Sequence, residues 1–295
     1  MTDPVGNLPA ADQGSAFHNA PTGMALTSTD GVLARINTAL SSLLGRTPDE
    51  VQGTSLFELI HPDDVPVARE SRRSLQAEPD RPTRYECRLL RADGSAVAVE
   101  IISSWVPATP NGDPSHLVKV IEDITDRKTR EAALIHQALH DPLTGLPNRV
   151  LFDDRLRHAL DRGRREHTPT CMLMIDLDDF KSINDLHGHQ VGDRVLTAFA
   201  ERLRSVLRAS DTAARLGGDE FAVACENTER ADAELLAQRL RSRTSAPLAV
   251  DDTAVSVRLS VGIGFAPGGS QPGAAYEHIV RAADQAMYTD KAQRR

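Results

Sequence analysis

The stretch RLGGDEFAVAC, from Arg215 to Cys225, constrains the fold more than any other part of this 295-residue chain. Glycine adopts positive φ without steric cost, so Gly217 and Gly218 predict the bend of a hairpin. The residues after them alternate between larger and smaller apolar side chains, which is the period of a β-strand. We therefore expect Asp219 and Glu220 at the rim of a sheet, beside backbone that a ligand can approach. A plain solvated turn is the alternative.

Composition limits the class of protein. The length suffices for about two domains, and 40% hydrophobic with 26% charged residues is typical of a soluble globular protein. No apolar run approaches the ~20 residues that cross a bilayer, and the N-terminus lacks the features of a signal peptide. The net charge of −8 argues against binding to a nucleic acid polymer. Cys87, Cys171 and Cys225 are scattered, which favours reduced thiols in the cytoplasm over disulfides or zinc.

Residue patterns divide the chain into four parts. Residues 1–16 are expected to form a disordered leader. Residues 17–125 predict a small α+β domain with a meandering antiparallel sheet, because three strand-like stretches flank short helical ones. These stretches are GMALTSTDGVLARIN, RYECRLLRADGSAVAVEIISSWV and HLVKVIEDI. Residues 126–140 predict a connecting helix that pairs with its copy in a dimer, and residues 141–295 form the second domain.

The order of elements in the second domain is βαββαβ followed by a helix, which predicts the ferredoxin-like arrangement. Its first strand is TCMLMIDL, and its first helix has an apolar face made of Val195, Phe199, Leu203 and Val206. The hairpin at the two glycines supplies the next two strands. The later elements are the helix DAELLAQRLRSR, the strand AVSVRLSVGIGFAP and the helix AAYEHIVRAADQAMYTDKAQ.

Carboxylates cluster at the end of the first of these strands and at the hairpin. Asp176, Asp178 and Asp179 follow the apolar run, and the topology brings Asp176 close to Asp219 and Glu220. Carboxylates gathered on an apolar sheet repel one another unless a cation lies between them. A set of oxygen ligands favours Mg²⁺ or Mn²⁺, with positions left open for substrate phosphates. The alternative is that these acids cap strand and helix ends.

Basic and amide side chains near this cluster suit a nucleotide. Lys181 can contact phosphate, and Asn184 and Asp193 can pair with the edge of a purine. Lys291 and Arg295 lie one helical turn apart and can hold phosphates. The alternative for the last two is an ordinary basic helix end.

Several motifs together resemble one known family. GGDEF at 217–221 is the signature of the GGDEF family of diguanylate cyclases. DPLTGLPNR at 141–149 and DLDDFKSINDLHGHQVGD at 176–193 are similar to further motifs of that family. SVGIG at 260–264 and YTDK at 288–291 match its closing motifs. The first domain resembles a PAS domain with its C-terminal PAC segment, through LIHPDD, RLLRADGS and VIEDITDRK.

The resemblance implies a reaction in which two GTP molecules become cyclic di-GMP and two pyrophosphates across a homodimer. It implies two Mg²⁺ or Mn²⁺ ions per GTP, held by Asp176, the Leu177 carbonyl, Asp219 and Glu220. It assigns catalysis to Asp219, Glu220 and Lys181, with Asp219 as the best candidate to help deprotonate the 3′-hydroxyl.

The resemblance also implies two sets of binding residues. Those for the substrate are Phe180, Asn184, His189, Asp193, Gly217, Gly218, Lys291 and Arg295. Arg208 and Asp211 resemble the family's RxxD inhibitory site, at which the product binds and restrains the enzyme. One departure is Arg294, which replaces the usual glycine before the last arginine.

Other functions remain open at this point. A non-catalytic receptor for GTP or cyclic di-GMP would use the same residues without turnover. A sensor or dimerisation module would act mainly through PAS contacts. The PAS ligand is unknown, since the first domain has no flavin-linking cysteine motif and His61 is expected to be a loop residue. A downstream domain such as an EAL phosphodiesterase is compatible with the sequence.

Overall fold

The computed structural model describes residues 10–110, 114–250 and 253–294. The chain forms two compact units, Met1–Ala132 and Ala133–Arg295. No helix among these described residues is long and apolar enough to span a bilayer.

The first unit is built on one five-stranded sheet. Its strands are β1 (Gly23–Ser28), β2 (Leu33–Ile36), β3 (Thr83–Leu90), β4 (Ala96–Val106) and β5 (His116–Asp123). All neighbouring strands are antiparallel, and their order is β2-β1-β5-β4-β3. The expected meander is therefore correct only for β3, β4 and β5, because β1 pairs with β5 and not with β3. This places the first hairpin beside the last strand, as the PAS-like fold requires.

Short helices accompany this sheet. They are α1 (Ala10–Asn19), α2 (Thr38–Leu44), α3 (Pro48–Val51), α4 (Leu56–Leu59) and α5 (Val65–Ala77), with a 3₁₀ turn at Pro62–Asp64. The Asn37 side chain caps α2 by accepting from the Leu40 N–H at 3.0 Å, and it also accepts from the Met24 N–H at 2.8 Å. Gly45, in the left-handed region, ends α2.

The leader differs from the expectation. Residues 1–9 lie outside the described residues, but α1 begins at Ala10, so residues 10–16 are helical where disorder was expected. Alanines favour a helix there, and the Arg35 guanidinium lies 5.2 Å from the centre of the Phe17 ring. This contact anchors the end of the helix to β2.

The second unit has a four-stranded antiparallel sheet and a separate hairpin. The sheet strands are β6 (Thr170–Asp178), β7 (Thr212–Gly217), β8 (Glu220–Glu226) and β11 (Arg258–Ala266), and the hairpin strands are β9 (Leu248–Val250) and β10 (Thr253–Val255). The sheet order β11-β6-β8-β7 is that of a ferredoxin-like fold, which confirms the predicted topology. The single strand expected over AVSVRLSVGIGFAP is wrong: Val255 belongs to β10, and β11 begins at Arg258.

Helices cover both faces of the second sheet. They are α7 (Arg149–Glu166), α8 (Phe180–His187), α9 (His189–Val206), α10 (Arg230–Ser245) and α11 (Pro272–Arg294). The central strand β6 is buried on both faces, as its continuous apolar run predicts. One face packs on α9 and α10 and the other on α7 and α11, so the end of β6 is held rigidly.

The helix α6 (Thr125–Leu139) occupies the predicted connecting segment 126–140. None of its residues is buried, and Leu134 and Ile135 are 65% and 60% exposed. Pairing of this helix with its copy stays a prediction.

Candidate functional site

The hairpin of β7 and β8 closes with a two-residue turn. Gly217 pairs with Glu220, which leaves Gly218 and Asp219 at the tip. Both glycines have positive φ, 146° and 54°. A Cβ at either position would meet no atom within 4 Å. The turn is therefore open on the side where a nucleotide would approach the backbone.

The predicted carboxylates meet at the end of the two central strands. Asp176 on β6 lies directly opposite Glu220 on β8. The Leu177 N–H donates to the Asp219 carbonyl at 3.2 Å, which ties the end of β6 to the hairpin tip. Asp176 is only 5% exposed, whereas Asp219 and Glu220 are half-buried. The topology therefore brings the two sequence clusters to one edge of the sheet.

Basic side chains neutralise this edge. The Lys291 ammonium donates to Asp176 Oδ1 at 2.6 Å, and the Arg149 guanidinium lies 3.7 Å from Glu220 Oε2. Burial by itself lowers the pKa of Lys291, but the hydrogen bond to Asp176 and the nearby Asp219 carboxylate raise it further than burial lowers it. The net effect is a pKa above the ordinary value, so Lys291 is fully charged at neutral pH.

The position of Lys291 follows from how α11 packs. The preceding residue, Asp290, accepts from the Val261 N–H at 2.9 Å and from Arg241 at 2.6 Å, which fixes this turn of α11 against β11. A Cβ at Gly262 would overlap the Ala283 carbonyl oxygen. The glycines of SVGIG therefore allow the close approach of helix and strand that brings the ammonium to Asp176.

The donor set has the chemistry that a hard divalent cation requires. Asp176, Asp219, Glu220 and the Leu177 carbonyl offer oxygen atoms only. Nearby, Asp178 Oδ1 accepts from the Ser260 hydroxyl at 2.6 Å, and its buried Oδ2 has no hydrogen-bond partner among the residues that the structure describes. Across the described residues, no three acidic, histidine or cysteine side chains converge on one point. The oxygen donors of these residues suit Mg²⁺ or Mn²⁺. To hold such an ion, the side chains of Asp176, Asp219 and Glu220 must come closer to one another.

The residues predicted to recognise guanine gather where α8 meets α9. The Asn184 side chain lies over Gly192, and a Cβ at position 192 would overlap the Oδ1 atom of Asn184. Glycine is therefore required for this placement. His189 and Asp193 are both exposed and lie one turn apart on α9. The structure thus brings Asn184 to the same corner as the first turn of α9.

Other predicted substrate residues are placed differently. Phe180 is 9% exposed, and its side chain belongs to the hydrophobic core, so only its backbone is available to a substrate. Lys181 is exposed one residue later on α8. Arg295, which was predicted to hold phosphate, lies outside the described residues. Arg294 forms an ion pair with Asp290 at 3.0 Å.

Sequence reasoning missed Arg215, which holds the hairpin. Its guanidinium donates to both carboxylate oxygens of Asp141 at 3.1 and 3.2 Å and twice to the Gly218 carbonyl at 2.8 and 3.0 Å. Burial raises the pKa of Asp141, but hydrogen bonds from Thr144 and Arg215 outweigh this and lower it. An arginine within an otherwise apolar strand was the available signal.

The predicted product site is a tight turn beside an open depression. The Arg208 N–H donates to Asp211 Oδ2, and the Asp211 N–H donates to the Arg208 carbonyl, both at 3.0 Å. A depression of about 410 Å³ lies between this turn and α10, and Arg208 and Arg239 both line it. The contribution of α10 was missed because its lining residues begin at Asp232, 24 positions after Arg208 in the sequence.

Two families match the chain. Residues 138–295 match the family described as diguanylate cyclase, GGDEF domain, and residues 33–121 match the PAS fold. The bifunctional diguanylate cyclase/cyclic di-GMP phosphodiesterase MucR of Pseudomonas aeruginosa is 46% identical over 169 residues, 57% of this chain and 24% of MucR. Diguanylate cyclase TpbB of the same organism is 45% identical over 166 residues, 56% of this chain and 38% of TpbB. The matched stretch is thus well under half of these relatives.

A solved structure gives the same result. The crystal structure of the coiled coil and GGDEF domain of DgcB from Caulobacter crescentus, in complex with c-di-GMP, matches with a TM-score of 0.52 and 28% identity. The match covers 58% of this chain and 89% of that one. The match to the diguanylate cyclase, GGDEF domain family spans more than half of the residues of this chain. The chain therefore belongs to the GGDEF family of diguanylate cyclases, and it carries a PAS-fold domain ahead of its GGDEF domain.

Proposed function

We propose that this chain is a diguanylate cyclase that converts two GTP molecules into cyclic di-GMP and two pyrophosphates. The observation that carries the proposal is the placement of Asp176 opposite Glu220 beside the open Gly218–Asp219 turn. In each half-reaction the 3′-oxygen of one GTP bonds to the α-phosphorus of the other. The bond from that phosphorus to the bridging oxygen breaks, pyrophosphate leaves, and the hydroxyl loses its proton.

The carboxylates define where the reaction takes place. Asp176, Asp219, Glu220 and the Leu177 carbonyl would hold two Mg²⁺ or Mn²⁺ ions per GTP. Bound metal lowers the pKa of the hydroxyl and neutralises charge on the phosphate groups. Asp219, at the hairpin tip, accepts the proton of the attacking hydroxyl.

Cationic and polar side chains hold the nucleotide. Lys291 and Lys181 bind the phosphates, and Lys291 remains charged because Asp176 supports its ammonium. Asn184 and Asp193 read the guanine edge, with His189 beside them. The Phe180 backbone N–H contributes at the start of α8, because its side chain is in the core.

The reaction requires a homodimer, because each chain supplies one nucleotide site and cyclisation joins two nucleotides. The exposed Leu134 and Ile135 of α6 are the proposed pairing surface. The PAS-fold domain regulates turnover by changing how the two sites meet. We place the enzyme in the cytoplasm, where GTP occurs, and its three buried free cysteines support this.

Product inhibition is proposed at Arg208 and Asp211. Arg208 would stack on and hydrogen-bond a guanine of cyclic di-GMP, and Asp211 would accept from its edge. Arg239 of α10 adds a second cation to the same depression. Arg208→Ala is expected to relieve the slowing of turnover as product accumulates.

The test is to incubate the purified chain with GTP and Mg²⁺ and to separate the nucleotides by chromatography. Wild type is expected to form cyclic di-GMP and Asp219→Asn to form at least 100-fold less, which is typical of losing a metal-binding catalytic carboxylate. Asp284→Asn, an exposed acid on α11, is the matched control and should retain full turnover.

The alternative is a non-catalytic nucleotide receptor, which the pairing of Asp176 with Lys291 favours, since that carboxylate is already neutralised. Binding of GTP without product, in both wild type and Arg208→Ala, would exclude bound inhibitor and leave a receptor or a cyclase whose PAS-fold domain lacks its signal. Product from Arg208→Ala alone would indicate inhibitor bound at Arg208.

A further inference from the structure

A buried lysine lies in the interior of the PAS-fold domain. Lys119 is 6% exposed and points from β5 to the inner face of the sheet, between Leu117 and Ile121 in the buried pattern. Its ammonium donates to the Ser103 hydroxyl on β4 at 2.8 Å. Within the described part of the chain, no carboxylate lies within ion-pair distance of it. A buried ammonium with a neutral partner is costly, and such charges are normally paired.

The lysine lines a small cavity together with a second cationic side chain, that of Arg72. The cavity measures about 10 Å³, and Arg72, Tyr85 and Ser103 also line it. The buried Nε–H of Arg72 has no acceptor among the described residues. None of the described residues that line the cavity is acidic. Arg72 pairs with Asp30 through its terminal nitrogens, but its Nε–H and the Lys119 ammonium face the cavity without an anionic acceptor among the described residues, and such donors attract an anion.

The walls of the cavity restrict which anion fits. Leu56, Phe57, Leu75 and Leu117 surround the polar groups with apolar surface. Such a site accommodates a charged head group with a short hydrocarbon tail better than a fully hydrated inorganic ion.

The boundary between α5 and β3 separates the cavity from the surface. A surface groove of about 680 Å³ between these elements shares Ser71, Thr83 and Tyr85 with the cavity lining. The Ser71 hydroxyl donates to the Thr83 hydroxyl at 2.8 Å at this boundary. As it stands the cavity has room for about one water molecule. A ligand must therefore separate α5 from β3, which makes its binding a change in the shape of the domain.

We propose that the PAS-fold domain binds a short-chain organic carboxylate, whose oxygens accept hydrogen bonds from the Lys119 ammonium and the Arg72 Nε–H. The apolar tail lies against Phe57 and Leu117. The ligand replaces the missing counter-charge, and its binding moves α5 away from β3. This proposal concerns binding alone and does not depend on the cyclase activity.

The binding should weaken in alkaline solution. Burial lowers the pKa of Lys119 to about 8, so its charge is lost between neutral pH and pH 9.5. The other groups that face it are Arg72 of α5, Tyr85 and Cys87 of β3, and Asp30, which pairs with Arg72 at the β1–β2 turn. Burial raises the pKa of Tyr85, and that of Cys87 to about 12, so neither changes charge in this interval.

The test uses the full chain and its single tryptophan. Trp105 lies on β4 opposite Leu117, so its fluorescence reports unfolding of the PAS-fold domain alone. Sodium propionate and sodium butyrate are the probes, with sodium chloride at the same ionic strength and neutral propionamide as controls. We expect the carboxylates to raise the midpoint of thermal unfolding by several degrees at pH 7 and much less at pH 9.5.

Lys119→Met preserves the length of the side chain and removes the charge, and Lys128→Met, an exposed lysine on α6, is the matched control. We expect Lys119→Met to weaken propionate binding at least tenfold and Lys128→Met to leave it unchanged. The same midpoint in propionate and chloride would overturn the proposal. So would an equal propionate effect in wild type and Lys119→Met, or an equal effect of propionamide.

Discussion

The two domains both bury a charged residue at a sheet, and they treat it in opposite ways. In the GGDEF domain, Asp176 at the end of β6 is paired with Lys291 at 2.6 Å. In the PAS-fold domain, Lys119 in the middle of β5 has the Ser103 hydroxyl as its only hydrogen-bond partner among the described residues. An ion pair holds its two side chains in place. A buried charge without a partner lowers the stability of the ligand-free domain, and a ligand that supplies the counter-charge restores that stability when it binds. The difference shows where a buried charge is held by an ion pair and where it is left without one among the described residues.

Among substitutions at these ion-paired and unpaired charges, Lys291→Met is expected to have the largest effect, because it leaves the Asp176 carboxylate buried without a counter-charge. We expect cyclic di-GMP formation to fall about 100-fold and the GGDEF domain to lose about 2 kcal/mol of stability, less than a fully buried pair because Lys291 is partly exposed. Calorimetry measures the loss, and the Trp105 signal of the PAS-fold domain serves as an internal control. If Lys291→Met left the thermal unfolding of the GGDEF domain unchanged, the ion pair with Asp176 would not stabilise that domain.

Arg215→Met should have the next largest effect, because it frees the Gly218 carbonyl and leaves Asp141 without its cation. We expect kcat to fall about 10- to 100-fold, since a displaced hairpin misaligns the carboxylates, while KM for GTP changes less. Arg165→Met, at an exposed site on α7, is the control. Loss of GTP affinity with unchanged kcat would show that Arg215 does not position the hairpin for catalysis.

Lys119→Met should stabilise the PAS-fold domain. At pH 7, removal of the buried charge is expected to raise the free energy of unfolding by about 2 kcal/mol. Urea unfolding followed by Trp105 fluorescence measures this change. The pKa of Lys119 is about 8 in the folded state, against 10.5 ordinarily, so the destabilisation is complete below pH 8. It disappears as pH rises toward 10.5, and the wild-type and variant curves should converge there. Destabilisation at every pH would indicate that Lys119 is an ordinary structural residue.

The smallest effect is expected at Asp64, which is paired in the same domain. Its hydrogen bond from Arg88 lowers the pKa of Asp64 to about 2 from an ordinary 3.8. Its stabilisation is therefore complete above pH 4 and is lost as pH falls through 2. Asp64→Asn should lower the free energy of unfolding of the PAS-fold domain by about 1 kcal/mol at pH 7 and leave it unchanged near pH 1.5. Unfolding is followed by Trp105 fluorescence. A cost that is independent of pH would point to packing and not to the ion pair.

Local patterns sufficed for much of the fold and of the candidate site. The glycines and alternating residues around Gly217 predicted the hairpin, and the buried run before Asp176 predicted the central strand. Their topology then placed Asp176 beside Glu220. The β9–β10 hairpin and the pairing of β1 with β5 were not predicted, because both depend on which strands meet and not on the pattern within a strand.

By itself, the sequence determined the element order, the family and the acidic cluster, because these depend on periodicity and on motifs at fixed spacing. Only the tertiary structure decided which charges have partners. Arg215 reaches Asp141 across 74 positions, and Lys291 reaches Asp176 across 115. The alternating pattern of β5 around Lys119 would be the same with or without an acidic residue facing Lys119 from another element, so the sequence does not show whether the charge is paired. Only the cavity that α5 forms with β3, β4 and β5 shows that no carboxylate of the described domain lines it, because the charge of a neighbour is set by the fold and not by adjacent residues.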